Sequence, residues 1–324
     1  MKVSEFYSKA ISVAMDNDPR GRDFVIKELN RKKRDYEKLT GREKELFDTD
    51  SLTNPYTDSR IIYGKGDEDL NAIMAGIDID AGEIVLAEIL RQKGKAIDLI
   101  LTHHPSGKPL ANLAGVMDMQ ADILSMFGVP INVAESLIEA RAKEVDRKIM
   151  PSNHTRAADA ARLLNIPLIS MHTAADNMVA TYLQRLFDNK RPDRLEDIID
   201  LLLEIPEYKD AARGGNAPKI LIGSKNRSCG KVFVDMTGGT GGSKDIYESL
   251  KTSGINTIVG MHISEDHRKE AEKHHINVVI AGHIASDNLG MNLLLDAVLE
   301  QDDIEIIECS GFRRFSRHGI RRDH

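Results

Sequence analysis

Short apolar runs alternate with amphipathic stretches along most of the chain. The runs at 71–77, 96–101 and 167–171 have the length of buried strands, and the segments between them repeat apolar residues at helical spacing. Strands without polar alternation, separated by helices, are typical of parallel sheets covered on both faces. The pattern therefore predicts an α/β fold with mostly parallel sheets.

The alternation occurs twice, and a segment rich in Pro, Gly and charged residues separates the two occurrences. We therefore predict two α/β lobes that echo each other loosely. The first 60 residues are dense in Lys, Arg and Glu and predict a helical extension followed by a loop, while the last residues are rich in Arg. The predicted segments are an N-terminal extension, a first lobe, a helical linker, a second lobe and a basic tail, at 1–60, 61–190, 191–217, 218–312 and 313–324.

Composition narrows the compartment and the class of partner. Of 324 residues, 41% are hydrophobic and 29% charged, and the formal net charge is −7, which argues against a general nucleic-acid binder and against attraction to an anionic membrane. Cys229 and Cys309 are far apart and suit a reducing compartment. The sequence shows neither a membrane-spanning run nor a signal-peptide pattern. We expect a cytoplasmic protein with no membrane or nucleic-acid partner.

Histidines and aspartates follow the predicted strands at three separate places. The three motifs are THHP at 102–105, SMHTAAD at 170–176 and GHIASD at 282–287. Each has an ordinary interpretation on its own: a capping or core histidine, a helix-capping Asp176, or a surface helix start at His283. Ligands of open α/β sheets gather at the carboxyl ends of the strands, however, and three coincidences at that edge favour one shared site.

Imidazole and carboxylate groups together are suitable ligands for zinc, iron, manganese or nickel. His283 and Asp287 lie four residues apart and share one face of a helix. Five such ligands are more than one tetrahedral ion with an open position requires, whereas two ions bridged by a carboxylate use them all. The sequence therefore predicts a centre for two divalent metal ions with the ligands His103, His104, Asp176, His283 and Asp287.

In order and position, the three motifs resemble those of the Nif-three-like family, named from NGG-interacting factor three and also labelled GTP cyclohydrolase I type 2. The resemblance covers roughly residues 69–312. It implies two α/β lobes of partly similar topology, a di-metal site in the cleft between them and a ring-shaped homo-hexamer. It also implies the same five metal ligands, with His172 and Thr173 supporting the aspartate of the second motif.

Three features depart from the family pattern. Asp287 stands where the family usually has Glu, which is one methylene longer and bears on the bridging geometry. The usual HTNLD motif reads HTAAD at 172–176. The short motif that normally opens the family is replaced by the charged helical segment, which bears on substrate access.

Further polar residues are candidates for the walls of the cleft. His267 is a candidate wall or proton-transfer residue, and His154 is a candidate contact for an anionic substrate. The glycine-rich loop 238–242 offers backbone N–H groups to a phosphate, but it matches neither a P-loop nor a dinucleotide fingerprint, which favours an ordinary turn. The Arg-rich tail is interpreted as a solvated terminus.

Two functions fit these residues. The first is a dinuclear-metal-dependent hydrolase of a small nucleotide-like or phosphorylated substrate, of GTP cyclohydrolase type by resemblance only. The second is a metal-binding regulatory or metal-handling protein without turnover. An open coordination position that faces a cleft favours the first function, and a closed ligand shell favours the second.

Overall fold

A computed structural model describes residues 1–300 and 302–317 of the chain. The part of the predicted basic tail from residue 318 onward lies outside the described residues. The strands are β1 Ile61–Tyr63, β2 Ala72–Gly76, β3 Leu99–Thr102, β4 Leu168–Ser170, β5 Lys219–Ile222, β6 Lys231–Asp235, β7 Ile255–Gly260, β8 Asn277–Ile280 and β9 Glu305–Cys309. The α-helices are α1 Val3–Asp16, α2 Arg22–Lys38, α3 Gly41–Glu45, α4 Ala81–Gln92, α5 Lys108–Ala111, α6 Asp118–Met126, α7 Ile131–Ile149, α8 Arg156–Leu164, α9 Thr173–Lys190, α10 Leu195–Leu203, α11 Pro206–Arg213, α12 Tyr247–Thr252, α13 Glu265–Lys273 and α14 His283–Val298.

The first sheet has the strand order β1-β4-β3-β2-β9, and only β1 runs antiparallel to its neighbour. Strands β2, β3 and β4 are buried along their whole length, as the unbroken apolar runs predict. The register pairs Gly76 with Thr102 and Thr102 with Ser170, so these three strands end side by side. The segments that carry the first two motifs therefore both leave the sheet at the carboxyl ends of its parallel strands.

The second sheet has the order β5-β8-β7-β6, with β5 antiparallel at one side. Its register pairs Asp235 with Gly260 and Gly260 with Ile280, so the parallel strands again end together. The third motif follows β8 at that edge. The predicted α/β fold with two mostly parallel sheets is confirmed.

The last strand joins a different sheet from the one expected. The sequence assigns it to the second lobe, but β9 pairs in parallel with β2, from Ala72 opposite Glu305 to Gly76 opposite Cys309. Strand β1 forms within a segment predicted as a loop. Both strands lie at sheet edges, where side chains are only partly buried, and a periodicity signal identifies a strand without naming its partner. Apart from the assignment of these two strands, the residue bounds of the two lobes remain a prediction.

Helices α9 and α14 form the centre of the molecule. From Thr173 to Thr181 every residue of α9 is buried, as expected for a helix surrounded by protein. Gly290 of α14 faces the backbone of α9, and a Cβ there would lie 2.5 Å from the Ala175 carbonyl oxygen. The glycine therefore permits the close approach that brings the first turns of the two helices together.

The N-terminal segment is part of the main core. Val3, Phe6 and Ala10 of α1 are fully buried, and this helix packs against both α9 and α14. In α2, Val25 and Leu29 are buried, whereas Phe24 and Ile26 remain 37% and 38% exposed.

The described part of the tail is also anchored. Arg317 lies 2.9 Å from the buried carboxylate of Glu207, and Arg314 pairs with Asp296. The interpretation of this segment as a solvated terminus is wrong for residues 313–317, because these arginines pair with carboxylates of α11 and α14. Within residues 1–300 and 302–317, none of the helices has the length and apolar character needed to cross a membrane.

Candidate metal centre

The two adjacent histidines reach one site because the chain turns where β3 ends. The N–H groups of His103 and His104 donate to the carbonyl oxygens of Gly76 and Ile77, at 3.0 and 2.9 Å, which keeps this segment beside the end of β2. The hydroxyl of Thr102 donates to the His104 carbonyl and stabilises the turn. The two imidazole rings lie 5.1 Å apart, as expected if both face one cleft.

Asp176 lies in the first turn of α9 and Asp287 directly after the first turn of α14, and both are buried. One oxygen of Asp287 lies 3.4 Å from Nε2 of His103. Its other oxygen lies 3.6 Å from Nε2 of His104 and 3.6 Å from Nε2 of His283. Asp176 approaches the same His103 nitrogen at 3.5 Å. The five predicted ligands therefore converge, and Asp287 faces histidines on two sides.

Three buried carboxylate oxygens in this cluster accept no hydrogen bond from the described residues: Oδ1 of Asp176 and both oxygens of Asp287. Leaving such atoms unpartnered is costly, so a buried carboxylate normally pairs or binds a cation. Separations of 3.4–3.6 Å are too long for hydrogen bonds, but they match donors that share an ion. Two donors bonded at about 2.0–2.1 Å in a tetrahedron lie roughly 3.4 Å apart.

The donor atoms form three overlapping groups, and within each group all donors lie within 4.8 Å of one another. The groups are His103 with Asp176 and Asp287, His104 with His283 and Asp287, and His103 with His104 and His172. Only Asp287 belongs to both carboxylate-containing groups, as a bridging ligand would. These residues can hold a metal ion, and they fit the group that the fold family implies.

The outer ring nitrogens are occupied, which directs the inner ones toward the carboxylates. Nδ1 of His103 donates to the Met171 carbonyl at 3.2 Å, and Nδ1 of His104 donates to Asp78 at 2.6 Å. Such hydrogen bonds fix the tautomer and leave Nε2 as the ligand atom. Sequence reasoning missed Asp78, although its position just after β2, at the shared sheet edge, is a signal that could have identified it.

His172 and Thr173 have a different partner from the one the resemblance implies. Both donate to one oxygen of the fully buried Asp58, from Nδ1 at 2.8 Å and from the hydroxyl at 2.7 Å. Nε2 of His172 lies 3.9 Å from Asp176. Burial alone would raise the pKa of Asp58, but these hydrogen bonds hold it below its ordinary value. Nothing in the sequence around Asp58 marks this role.

Burial shifts the pKa values of two groups in the cluster, Asp176 and His104. Burial raises the pKa of Asp176 well above its ordinary value, and the nearby negative charge of Asp287 adds to the effect. Burial also lowers the pKa of His104, and the adjacent His103 adds to that shift. A divalent cation reverses the preference of Asp176, because it stabilises the carboxylate, and it agrees with that of His104, because it binds the neutral imidazole.

We expect Asp58→Ala to destabilise the protein by about 2–3 kcal/mol, because it leaves the His172 and Thr173 donors buried without an acceptor. Since the folded pKa of Asp58 lies below the unfolded value of 3.8, its contribution is present above that pH and lost as the pH falls through the folded pKa. Urea unfolding of chelator-treated protein measures the change. The exposed Asp67 provides a matched control, and an equal effect of Asp67→Ala would contradict the assignment.

The cluster lies in a cleft of about 480 Å³ that is lined by residues of both sheets' loops. His267 lines this cleft as predicted, and its Nδ1 lies 3.2 Å from the hydroxyl of Tyr247. His262, which the sequence did not single out, lines it too, with its ring 4.8 Å from that of His283. His154 is absent from the lining, so the structure does not bring it to the site.

Fold and site together define a protein with two α/β sheets whose strand ends present histidine and aspartate side chains to a common cleft. Neither a protein-family model nor a curated protein matches the sequence. The structure is similar to that of a NIF3 superfamily protein from Sphaerobacter thermophilus, with 27% identity, a TM-score of 0.68, and coverage of 79% of this chain and 92% of that chain. The chain therefore has a NIF3-like structure, and the resemblance that the motifs predicted is confirmed.

A second solved structure, reduced HcgD from Methanocaldococcus jannaschii, shares the fold with a TM-score of 0.50 and 16% identity. That similarity covers 77% of this chain and 87% of HcgD. At this level of identity the likeness concerns the fold alone.

Proposed function

We propose that this protein is a dinuclear-metal-dependent hydrolase of a small phosphorylated or nucleotide-like substrate. The observation that carries the proposal is the position of Asp287. Its two oxygens are buried and unpartnered within the described residues, one facing His103 and the other facing His104 and His283, beside a cleft large enough for a small molecule. GTP, the substrate named in the family's label of GTP cyclohydrolase, belongs to this substrate class.

We propose two metal positions on the basis of the donor groups. One uses His103 and Asp176, the other uses His104 and His283, and Asp287 completes both. Three protein donors at each position are the number found in catalytic sites that keep a place for water or substrate. When bound, two divalent ions supply Lewis-acid chemistry and favour the ionisation of water. Imidazole and carboxylate donors fit zinc, iron, manganese or nickel.

We propose that His267 transfers protons in this site. The hydroxyl of Tyr247 lies 3.2 Å from its Nδ1, and the two rings meet edge to face, so the imidazole is held in one orientation. Burial lowers the pKa of His267, and the positive charge of Arg141 lowers it further. The ring is therefore neutral near pH 7 and can accept a proton from a nucleophile or pass one to a leaving group.

A metal-handling or regulatory protein is the second candidate function. The observation that favours it is the accessibility of the second metal position, where the side chains of His283 and His104 are 40% and 26% exposed. An ion held there can exchange with one in solution or on a partner. By resemblance we also propose a ring-shaped homo-hexamer, which light scattering of the purified protein tests.

The hydrolase proposal is tested on protein purified without chelator. We expect elemental analysis to find about two divalent ions per chain. Metal-loaded protein should hydrolyse at least one substrate in a panel of GTP, phosphomonoesters and phosphodiesters. His104→Ala should lose one ion and its turnover, whereas His267→Gln should keep both ions and lose about 100-fold in kcat.

The exposed His275 provides the control, since its left-handed backbone conformation accommodates Asn and it lies away from the cleft. His275→Asn should match the wild type in both metal content and turnover. Metal-loaded protein that turns over no member of the panel would contradict the hydrolase. Transfer of its ions to a chelating acceptor, slowed by His283→Ala, would then favour metal handling.

A further inference from the structure

We infer that one wall of the cleft is a phosphate subsite, formed by the backbone N–H groups of the loop 238–242 and the guanidinium of Arg141. Gly239, Thr240 and Gly241 line the same cleft as the metal cluster, and so does Arg141. The inference deepens the proposed function, and it rests on that function for the placement of the reacting bond at the cluster. The ligand class is a phosphate monoester.

The loop is held in a conformation that only glycine adopts readily. Gly238 and Gly239 have φ angles of +91° and +89°. A Cβ on Gly238 would lie 2.6 Å from the Gln120 side chain, and one on Gly239 would lie 2.8 Å from Val116. Packing against the first lobe therefore fixes the backbone, so its N–H groups keep their directions without a ligand.

Three of the loop's carbonyl oxygens accept side-chain hydrogen bonds, whereas several of its N–H groups have no acceptor within the described residues. Nε2 of Gln120 donates to the carbonyl oxygens of Gly238 and Thr240, at 2.7 and 2.6 Å. Nε of Arg141 donates to that of Gly241 at 3.0 Å. Within residues 1–300 and 302–317, no acceptor takes a hydrogen bond from the N–H groups of Gly239, Gly241 or Gly242. A loop with surplus backbone donors is a binding site for anions.

Arg141 adds a full positive charge beside these donors. Its side chain is only 22% exposed, and Nη1 pairs with Glu144 at 2.8 Å. Among the described residues its Nη2 has no hydrogen-bond partner. The loop bond to Gly241 holds the guanidinium in place, and such a fixed, planar group binds phosphate oxygens well.

Other groups in the wall agree with an anionic ligand. The hydroxyl of Ser264 and the imidazole of His267 line the same cleft. Three carboxylates also line the cleft: Asp176 and Asp287 belong to the metal cluster, and Asp235 lies at the exposed end of β6. A phosphate monoester has enough acceptor oxygens to use several N–H donors and a guanidinium at once.

The test is a calorimetric titration of manganese-loaded protein with adenosine 5′-monophosphate and, separately, with adenosine. We expect the monophosphate to bind and adenosine to bind at least tenfold more weakly. Arg141→Gln and Gly241→Val should each weaken monophosphate binding about tenfold or more, as loss of charged or multiple hydrogen bonds does. A Cβ at Gly241 meets no atom within 4 Å, so this variant narrows the cleft without disturbing the fold.

Matched controls lie outside the cleft. Arg147 is exposed on the same helix as Arg141, and Gly82 of α4 likewise has no atom within 4 Å of a Cβ. Arg147→Gln and Gly82→Val should bind the monophosphate like the wild type.

The outcomes separate this inference from the proposed function. Wild-type monophosphate affinity in both cleft variants, with manganese bound, overturns the subsite and leaves the hydrolase standing. A protein that holds no manganese but still shows the tenfold loss in both variants supports the subsite and contradicts the metal proposal. A loss confined to Arg141→Gln overturns the part assigned to the loop.

Discussion

Asp287→Asn should strip the protein of both metal ions, with a loss of affinity greater than about 100-fold. The reason is that Asp287 alone belongs to both carboxylate-containing donor groups. Removing a residue that merely orients a ligand already costs 10–100-fold in affinity, and an amide offers only one neutral oxygen in place of two charged ones. Elemental analysis after gel filtration, together with titration of the stripped protein, measures the loss.

Asp287→Glu is the informative companion variant, because it restores the residue that the family usually has at this position. It adds a methylene, so retention of both ions would show that the cleft accommodates either carboxylate. The exposed Asp266 of α13 serves as the control, and Asp266→Asn should leave the metal content unchanged. Two tightly held ions in Asp287→Asn would contradict the bridging role of Asp287.

The convergence of the five predicted ligands was predictable because it follows from the geometry of a parallel sheet. His103 and His104 follow β3 directly, and its register with β2 and β4 places them where α9, which carries Asp176 in its first turn, begins. Four-residue spacing then brings His283 and Asp287 together on α14. Local patterns of strand and helix were sufficient to derive these neighbours.

The residues that support the ligands were harder to predict from the sequence, because their contacts are long-range. Asp58 reaches His172 across more than a hundred residues, from a segment with no periodicity. The pairing of β9 with β2 also depends on the position of α14, because this helix precedes β9 in the chain and determines where the strand begins. A single sequence shows that Asp58 is polar and that β9 is a strand, but tertiary packing alone decides their partners.

The packing of α9 against α14 determines how close Asp176 and Asp287 lie to each other. Gly290 allows α14 to approach the Ala175 carbonyl of α9, and the next residue of α9 is Asp176. Asp287 lies one turn before Gly290, so this contact sets the separation of the two buried carboxylates. Their proximity is unfavourable without a cation, since burial and mutual repulsion both raise the pKa of Asp176. The stability of the core and the occupancy of the metal centre should therefore be coupled.

We accordingly expect metal removal to have a large effect on thermal stability. A ligand at 1,000 times its Kd stabilises the native state by about 4 kcal/mol. For a chain of 324 residues, that corresponds to a rise in Tm of about 6 °C when manganese or zinc is added to chelator-treated protein. Differential scanning calorimetry of both forms measures the shift.

The metal-dependent rise in Tm should become smaller as the pH falls. Metal binding requires deprotonated carboxylates and neutral imidazoles, so protons compete with the ions. Because the folded pKa of Asp176 lies well above its ordinary value, this competition begins at a higher pH than for an exposed aspartate, and the gain in Tm should shrink as the pH falls. Asp287→Asn should show almost no metal-dependent shift at any pH. A full wild-type shift in that variant would place the stabilising ions elsewhere on the protein and overturn the coupling between core and centre.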